Sequence, residues 1–238
     1  MRSFKIENVT KRFGRFVALN AVTTDLQESY ISAIIGPNGA GKTTLVNVCT
    51  GMFRPEEGRI TFDSRDITKV PSHRRVQMGI ARTFQIVNIF PELSVYQNMK
   101  VPLLYARPKK EVEEAVAGFL ETYGLSRFRD TRAVNISHGD QKLLEMAMAI
   151  AVEPKVLFLD EPTAGVGLEE KEKIIETVRQ FKGRNMITAI IEHDMDAVFR
   201  IADRIIVMNE GEVVAQGSPE EIKADAFVRK IYLKEEAS

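Results

Sequence analysis

Nine consecutive residues, Gly36-Pro37-Asn38-Gly39-Ala40-Gly41-Lys42-Thr43-Thr44, restrict what this chain can fold into more than any other stretch. They match G-x-x-x-x-G-K-[ST], with Gly36, Gly41, Lys42 and Thr43 at the defining places. The apolar run from Tyr30 to Ile35 predicts a buried strand leading in, and Thr44 to Cys49 predicts the first turns of a helix leading out. Glycines let backbone N–H groups converge on phosphate oxygens, and the helix N-terminus adds its positive end. Lys42 is expected to reach the outer phosphates of a nucleotide and the Thr43 hydroxyl to ligate Mg²⁺. The loop by itself specifies only a nucleotide, so the rest of the chain must say what that nucleotide is for.

At 238 residues the chain is long enough for one domain with a sizeable core. A formal net charge of +0 gives no electrostatic case for nucleic-acid binding, and the lysines and arginines are spread rather than blocked together. No stretch approaches the roughly 18 apolar residues of a spanning helix, and the first residues lack the apolar core of a secretory signal. The single cysteine, Cys49, cannot form an internal disulfide, which is compatible with a reducing cytoplasm, and it is expected to be a small buried residue.

The chain opens with three short strands by pattern, at Phe4–Val9, Phe16–Leu19 and Val22–Leu26. Phe13 or Phe16 could stack on an adenine face, with Phe13 the better placed. A turn at Arg54–Gly58 precedes a strand at Arg59–Phe62, and His73 reads as a solvated loop histidine. Gly79–Gln85 predicts a short strand whose last residue, Gln85, could offer its amide oxygen to Mg²⁺ or to an attacking water. From Ser94 the chain reads helical to about Glu121, with Ser94 and Gln97 as a capping box and with Pro102 and Pro108 breaking the stretch. Ser137 before Gly139 at a second helix start reads from local sequence first as an ordinary N-cap, and otherwise as a hydroxyl and outward-facing N–H groups that make a second anion site.

Lys155–Leu159 predicts a central parallel strand ending in Asp160, the type of carboxylate that positions Mg²⁺. Glu161 beside it could deprotonate a water for attack on the γ-phosphate. A helix over Leu168–Lys182 and a strand over Met186–Ile191 follow, and His193 stands just beyond that strand, where ligands gather in open α/β sheets. A hairpin, Asp203–Met208 with Glu212–Gln216, and a helix capped by Ser218 finish the pattern. The reading is an α/β fold: a phosphate-loop core with a mixed central sheet, an N-terminal antiparallel β sub-domain and an inserted helical sub-domain. The expected division gives the core residues 1–85 and 153–238, and the helical sub-domain 86–152.

These pieces in this order resemble the ATP-binding subunits of ABC transporters along essentially the whole chain. The resemblance makes Gly36–Thr44 the phosphate loop, Gln85 the Q-loop residue and Ser137-His138-Gly139-Asp140-Gln141 the signature. It makes Asp160 the magnesium-site aspartate, Glu161 the catalytic glutamate, His193 the switch histidine and Phe13 the stacking aromatic. Gly79–Gln85, Phe90–Val95, Glu161–Gly165 and the closing Ile231-Tyr232-Leu233 look like subunits of branched-chain amino acid importers, whose relatives also serve urea and short amides. Two positions depart from the common pattern: His138 stands where many members carry glycine, and Gly167 where the D-loop aspartate is usual.

The resemblance implies a head-to-tail dimer, with itself or with a paralogue. ATP would lie between the phosphate loop of one subunit and Ser137 and Gly139 of the other. It implies permease subunits reached through roughly residues 86–101, a solute-binding protein, no nucleic-acid partner and a place on the cytoplasmic face of the membrane. A soluble ABC ATPase acting on DNA or ribosomes is the competing class, disfavoured by the absence of a long coiled-coil insertion or a tandem cassette.

Overall fold

The computed structural model describes residues 2–235. Two long strands open it, β1 (Ser3–Phe13) and β2 (Phe16–Gln27), followed by β3 (Ile31–Ile35) and α1 (Lys42–Cys49). Next come β4 (Glu57–Phe62), β5 (Arg65–Asp66), α2 (Ser72–Gln77) and β6 (Ile80–Arg82). A helical stretch carries α3 (Val95–Ala106), α4 (Val112–Thr122) and α5 (His138–Ala151). The chain then alternates β7 (Val156–Asp160), α6 (Leu168–Arg179), β8 (Ile187–Ile191) and α7 (Met195–Ile201). It closes with β9 (Arg204–Asn209), β10 (Glu212–Gly217), α8 (Pro219–Ala224) and α9 (Ala226–Glu235). Ile231-Tyr232-Leu233 fall in α9, their side chains outside the described residues.

Two sheets organise these elements. The first is antiparallel, in the order β2-β1-β4-β5; the second runs β10-β9-β3-β8-β7-β6. In the second sheet β9, β3, β8, β7 and β6 are parallel neighbours, while β10 returns antiparallel to β9. Its central strands are buried at every position, as the continuous apolar runs require. Alternate residues serve two cores. Ile31, Ala33, Ile35, Leu157, Leu159 and Ile190 face the helical side with Met99, Leu103, Leu144 and Met146. Ile34, Val156, Phe158, Ala189 and Ile191 share the other core with α1 and with Phe4, Ile6, Leu26 and Ile60 of the first sheet. The helix that follows the phosphate loop is thereby wedged among apolar residues of two sheets, and Cys49 at its end is buried as expected.

Five local expectations change. Phe16–Leu19 and Val22–Leu26 are one strand, because the irregularity at Ala21 is absorbed as a bulge: φ is 47° there and its N–H donates to the Thr10 hydroxyl at 3.1 Å. The strand over 79–85 stops at Arg82, leaving Gln85 in the following loop. Helix α6 ends at Arg179 rather than Lys182. Pro102 lies within α3 without ending it, since Val95, Asn98, Met99 and Leu103 bury one face and tertiary packing outweighs a missing hydrogen bond; Pro108 does end the run. His73 is exposed as expected but stands on α2, not in a loop. The Ser94–Gln97 capping box forms in both directions, as does one at Ser218 with Pro219 at the first helical position.

Candidate functional site

The phosphate loop leaves β3 and enters α1 through backbone that only glycine adopts readily. Gly36 has φ 150°, and a Cβ there would lie 2.1 Å from the Met208 carbonyl oxygen of β9. Gly41, the N-cap of α1, has φ 98°, and a Cβ would meet the Ala18 carbonyl oxygen at 2.6 Å. No side chain caps α1, so its first N–H groups face the loop. Pro37, Asn38, Gly39 and Ala40 complete the turn, with Ala40 N–H donating to the Pro37 carbonyl at 3.1 Å. Lys42 is buried and folds back over the loop, its ammonium donating to the carbonyls of Gly36 at 2.6 Å and Pro37 at 2.9 Å. Thr43 is exposed and Thr44 half-buried beside it.

At the same end of the second sheet, three strand ends bring the acids and their partners together. Asp160 closes β7 and is 3% exposed, and its Oδ2 accepts from Arg82 Nη2 at 3.0 Å. Burial pushes the Asp160 carboxyl up, and the Arg82 guanidinium opposes that rise. Arg82 also donates to the Asn47 side chain of α1 at 2.5 Å, and its guanidinium stacks over the Phe84 ring, 4.5 Å from the centroid. Glu161 takes φ 49°, and its N–H donates to Ile191 of β8 at 3.0 Å. Its carboxylate receives Gln85 Nε2 at 3.1 Å on one oxygen, while His193 Nε2 lies 2.8 Å from the other. Residues from the loops after β6, β7 and β8 thus converge on one carboxylate. Glu192, buried beside His193, accepts from both the N–H and the hydroxyl of Thr163, at 2.8 and 2.7 Å.

The start of α5 is the ordinary N-cap that its local sequence favoured. The Ser137 hydroxyl accepts the Asp140 N–H at 3.2 Å and lies 2.9 Å from Asp140 Oδ2, so it caps its own helix. The carboxylate of Glu170 covers the same end, where hydrogen bonding to Ser137 holds it low, with the N–H groups of Gly167 and Gly139 adding to the effect. A Cβ on Gly139 would meet the Glu170 side chain at 2.5 Å. The Ser137 hydroxyl and Gly139 N–H are therefore engaged within the chain instead of facing outwards, because an anion-binding helix start attracts the nearest carboxylate. Phe13 ends β1 at 43% exposure, its ring edge-on to Phe53 at 5.2 Å between centroids, while Phe16 across the turn is 63% exposed.

The ABC transporter family model matches residues 19–164. The chain belongs to the ABC transporter family. As an ATPase of that family it is similar over almost its whole length to branched-chain amino acid transport ATP-binding proteins. LivG of Salmonella typhimurium is 36% identical, with 97% of each chain covered. BraF of Pseudomonas aeruginosa is 34% identical, again with 97% of each covered. Among solved structures, the ADP conformation of the ATP-binding cassette MJ1267 superposes with a TM-score of 0.88 at 35% identity, covering 98% of this chain and 99% of that one. The dimeric structure of the bacterial cassette MJ0796 superposes at 0.81 with 25% identity, covering 91% and 98%.

Four charged residues of this ATPase escaped the motif reading: Arg82, Lys142, Glu145 and Glu170. Lys142 is 4% exposed and Glu145 7%, and both stand on the inner face of α5. Burial pushes the Lys142 ammonium down and the Glu145 carboxyl up to about 7. The one signal available in the sequence was a lysine just before, and a glutamate inside, the otherwise apolar run from Leu143 to Ile150.

Proposed function

We propose that the chain is the ATP-binding and hydrolysing subunit of an importer that drives uptake of branched-chain amino acids. The observation that carries the proposal is the convergence of Gln85 and His193 on the Glu161 carboxylate, next to Asp160 and across the sheet end from the phosphate loop. Gly36–Thr44 bind the ATP phosphates, Lys42 moving from the loop carbonyls to phosphate oxygens, and Phe13 takes the adenine face. Glu161 removes a proton from the attacking water, and His193 and Gln85 hold that carboxylate and the water in line. Thr43, Gln85 and Asp160 offer a hydroxyl, an amide oxygen and a carboxylate. These are hard oxygen donors, few in number, which suits Mg²⁺ because it keeps most of its shell for water and phosphate. When bound, that ion would neutralise charge on the outer phosphates.

Ser137 and Gly139, once released from Glu170, act on the ATP held by a second copy or a paralogue arranged head to tail. The dimeric MJ0796 structure supports that arrangement. Within the chain, we take residues 1–85 and 153–238 as the nucleotide core and 86–152 as the helical sub-domain. The half-exposed and exposed residues Ile86, Phe90, Val101, Leu104 and Tyr105 lie on the loop after β6 and on or before α3, and they suit contact with an apolar permease segment. A solute-binding protein and a place at the cytoplasmic membrane face go with this reading.

Glu161→Gln tests it. Expected is a loss of ATP turnover of about 10²- to 10⁴-fold with ATP binding retained. ATP-bound dimers should accumulate on size exclusion; turnover within tenfold of wild type would remove Glu161 as the base. Uptake of leucine by the complex reconstituted with its permease checks the solute, and uptake of urea in its place would overturn that assignment.

A further inference from the structure

Gln85 lies three residues beyond the end of β6, outside the sheet, and Glu161 lies just beyond β7, where its N–H alone still bonds the Ile191 carbonyl of β8. Both are reached from α5. Glu145 directs a single oxygen, Oε1, at two main-chain N–H groups that flank Gln85: Phe84 at 3.1 Å and Asn88 at 3.2 Å. Lys142, three residues earlier, donates its ammonium to the main-chain carbonyl of Glu161 at 2.7 Å. Residues three apart share a helix face, so one face of α5 grips the backbone at both side chains of the site. Burying an ammonium and a carboxylate is costly, and apolar residues of similar size would fill this space at lower cost. What the two ionic side chains add is polar reach to main-chain groups in two separate loops. The same helix starts at Ser137 and carries Gly139 in its first turn, and Glu145 lies about 12 Å along it from that start at 1.5 Å per residue.

We propose that Lys142 and Glu145 are positioning residues that tie Gln85 and Glu161 to α5. A displacement of α5, when Ser137 and Gly139 take up a phosphate of the facing ATP, then moves Gln85 and Glu161 with it. The coupling runs through hydrogen bonds to main chain, so it transmits position without taking part in the chemistry. This inference rests on the roles of Gln85 and Glu161 proposed above.

Two measurements on the full-length chain test it. The first is amide hydrogen exchange with residue resolution in wild type, Glu145→Ala and Glu145→Gln. In Glu145→Ala the Phe84 and Asn88 amides should exchange at least tenfold faster. The Thr83 amide, bonded to the Phe158 carbonyl at 2.9 Å, should be unchanged. Glu145→Gln keeps an oxygen at the same reach and should restore protection. The second is steady-state ATP hydrolysis: kcat should fall at least tenfold in Glu145→Ala and in Lys142→Met with KM within twofold, and Glu145→Gln should recover to within threefold of wild type. Unchanged exchange at Phe84 and Asn88, or accelerated exchange with wild-type kcat, overturns the proposal. So does a Glu145→Gln variant as impaired as Glu145→Ala. Gln85→Ala and Glu161→Gln, run alongside, keep the two readings apart. If they leave kcat intact, the roles of the site residues fail. If they abolish turnover while Glu145→Ala and Lys142→Met do not, only the positioning inference fails.

Discussion

Replacing Arg75 by methionine removes a cation that is 1% exposed and whose guanidinium is held by main chain alone. It donates to five carbonyls: Val48 and Cys49 at 2.8 and 2.6 Å, Ile67 and Thr68 at 2.6 and 3.3 Å, and Val70 at 2.9 Å. Val48 and Cys49 end α1, where carbonyls outrun the helical N–H groups and the negative end of the helix favours a cation. Burial pushes the guanidinium pKa down, yet an arginine stays charged in any protein environment. The Gly51 and Val70 N–H groups still reach the Val48 and Ile67 carbonyls, so the loss falls on the carbonyls of Cys49, Thr68 and Val70, at about 1.5–2 kcal/mol each within the usual range, hence roughly 5 kcal/mol in all. Relief of the buried charge and the apolar fit of methionine return about 1–2 kcal/mol. The net expectation is a destabilisation of about 3–4 kcal/mol, within the range for breaking a buried charged set. Arg75→Lys keeps the charge but has three donors on a narrower head, and should recover roughly half of the loss. Urea unfolding followed by circular dichroism, compared at common slope, reads both values. A Met variant within 1 kcal/mol of wild type, or a Lys variant equal to it, would refute the five-carbonyl account.

Three further outcomes follow from particular side chains. Burial pushes the Cys49 thiol up to about 12, so the native protein should not react with a thiol reagent at pH 8 over an hour, and should react fully in urea; labelling of the native protein within minutes would contradict that. Phe13→Ala should weaken nucleotide binding by about 1–3 kcal/mol, measured with a fluorescent ATP analogue, and Phe16→Ala should leave it within twofold; the reverse order would move the stacking role across the hairpin turn. The Glu145 carboxyl is raised from 4.5 to about 7, chiefly by burial, so the folded state favours its protonated form. Its contribution to stability is fully present below pH 4.5 and is lost as pH rises through 7. Relative to Glu145→Gln, wild type should therefore lose on the order of 3 kcal/mol between pH 4.5 and pH 8, and a difference constant with pH would exclude the shift.

Much of the site could be read before any coordinates because its parts are local. The glycines at 36 and 41, the lysine after them and the flanking apolar runs are short-range facts, and the structure adds the carbonyls of Met208 and Ala18 that make those glycines necessary. The capping box at Ser94 and the cap at Ser218 are equally local and formed as expected. Expectations that needed the environment went astray. Pro102 was expected to break a helix that packing keeps whole, and the bulge at Ala21 joined two strands into one. At α5 the local sequence favoured the N-cap that Ser137 makes, but nothing local shows that Glu170 comes to lie over the same helix start.

The sequence by itself determined the order of the strand–loop–helix units, the phosphate loop, the acids at the end of β7 and the family to which they belong. Each of those is written within a few residues, where backbone preference and hydrophobic period act directly. Only the tertiary structure decided which charges meet. Arg82 pairs with Asp160 across 78 positions, Gln85 with Glu161 across 76, and Phe84 N–H finds Glu145 across 61. A buried charge takes its partner from whatever the packed sheet and helices bring within reach, and that reach is set by the assembled core, not by neighbours in the chain.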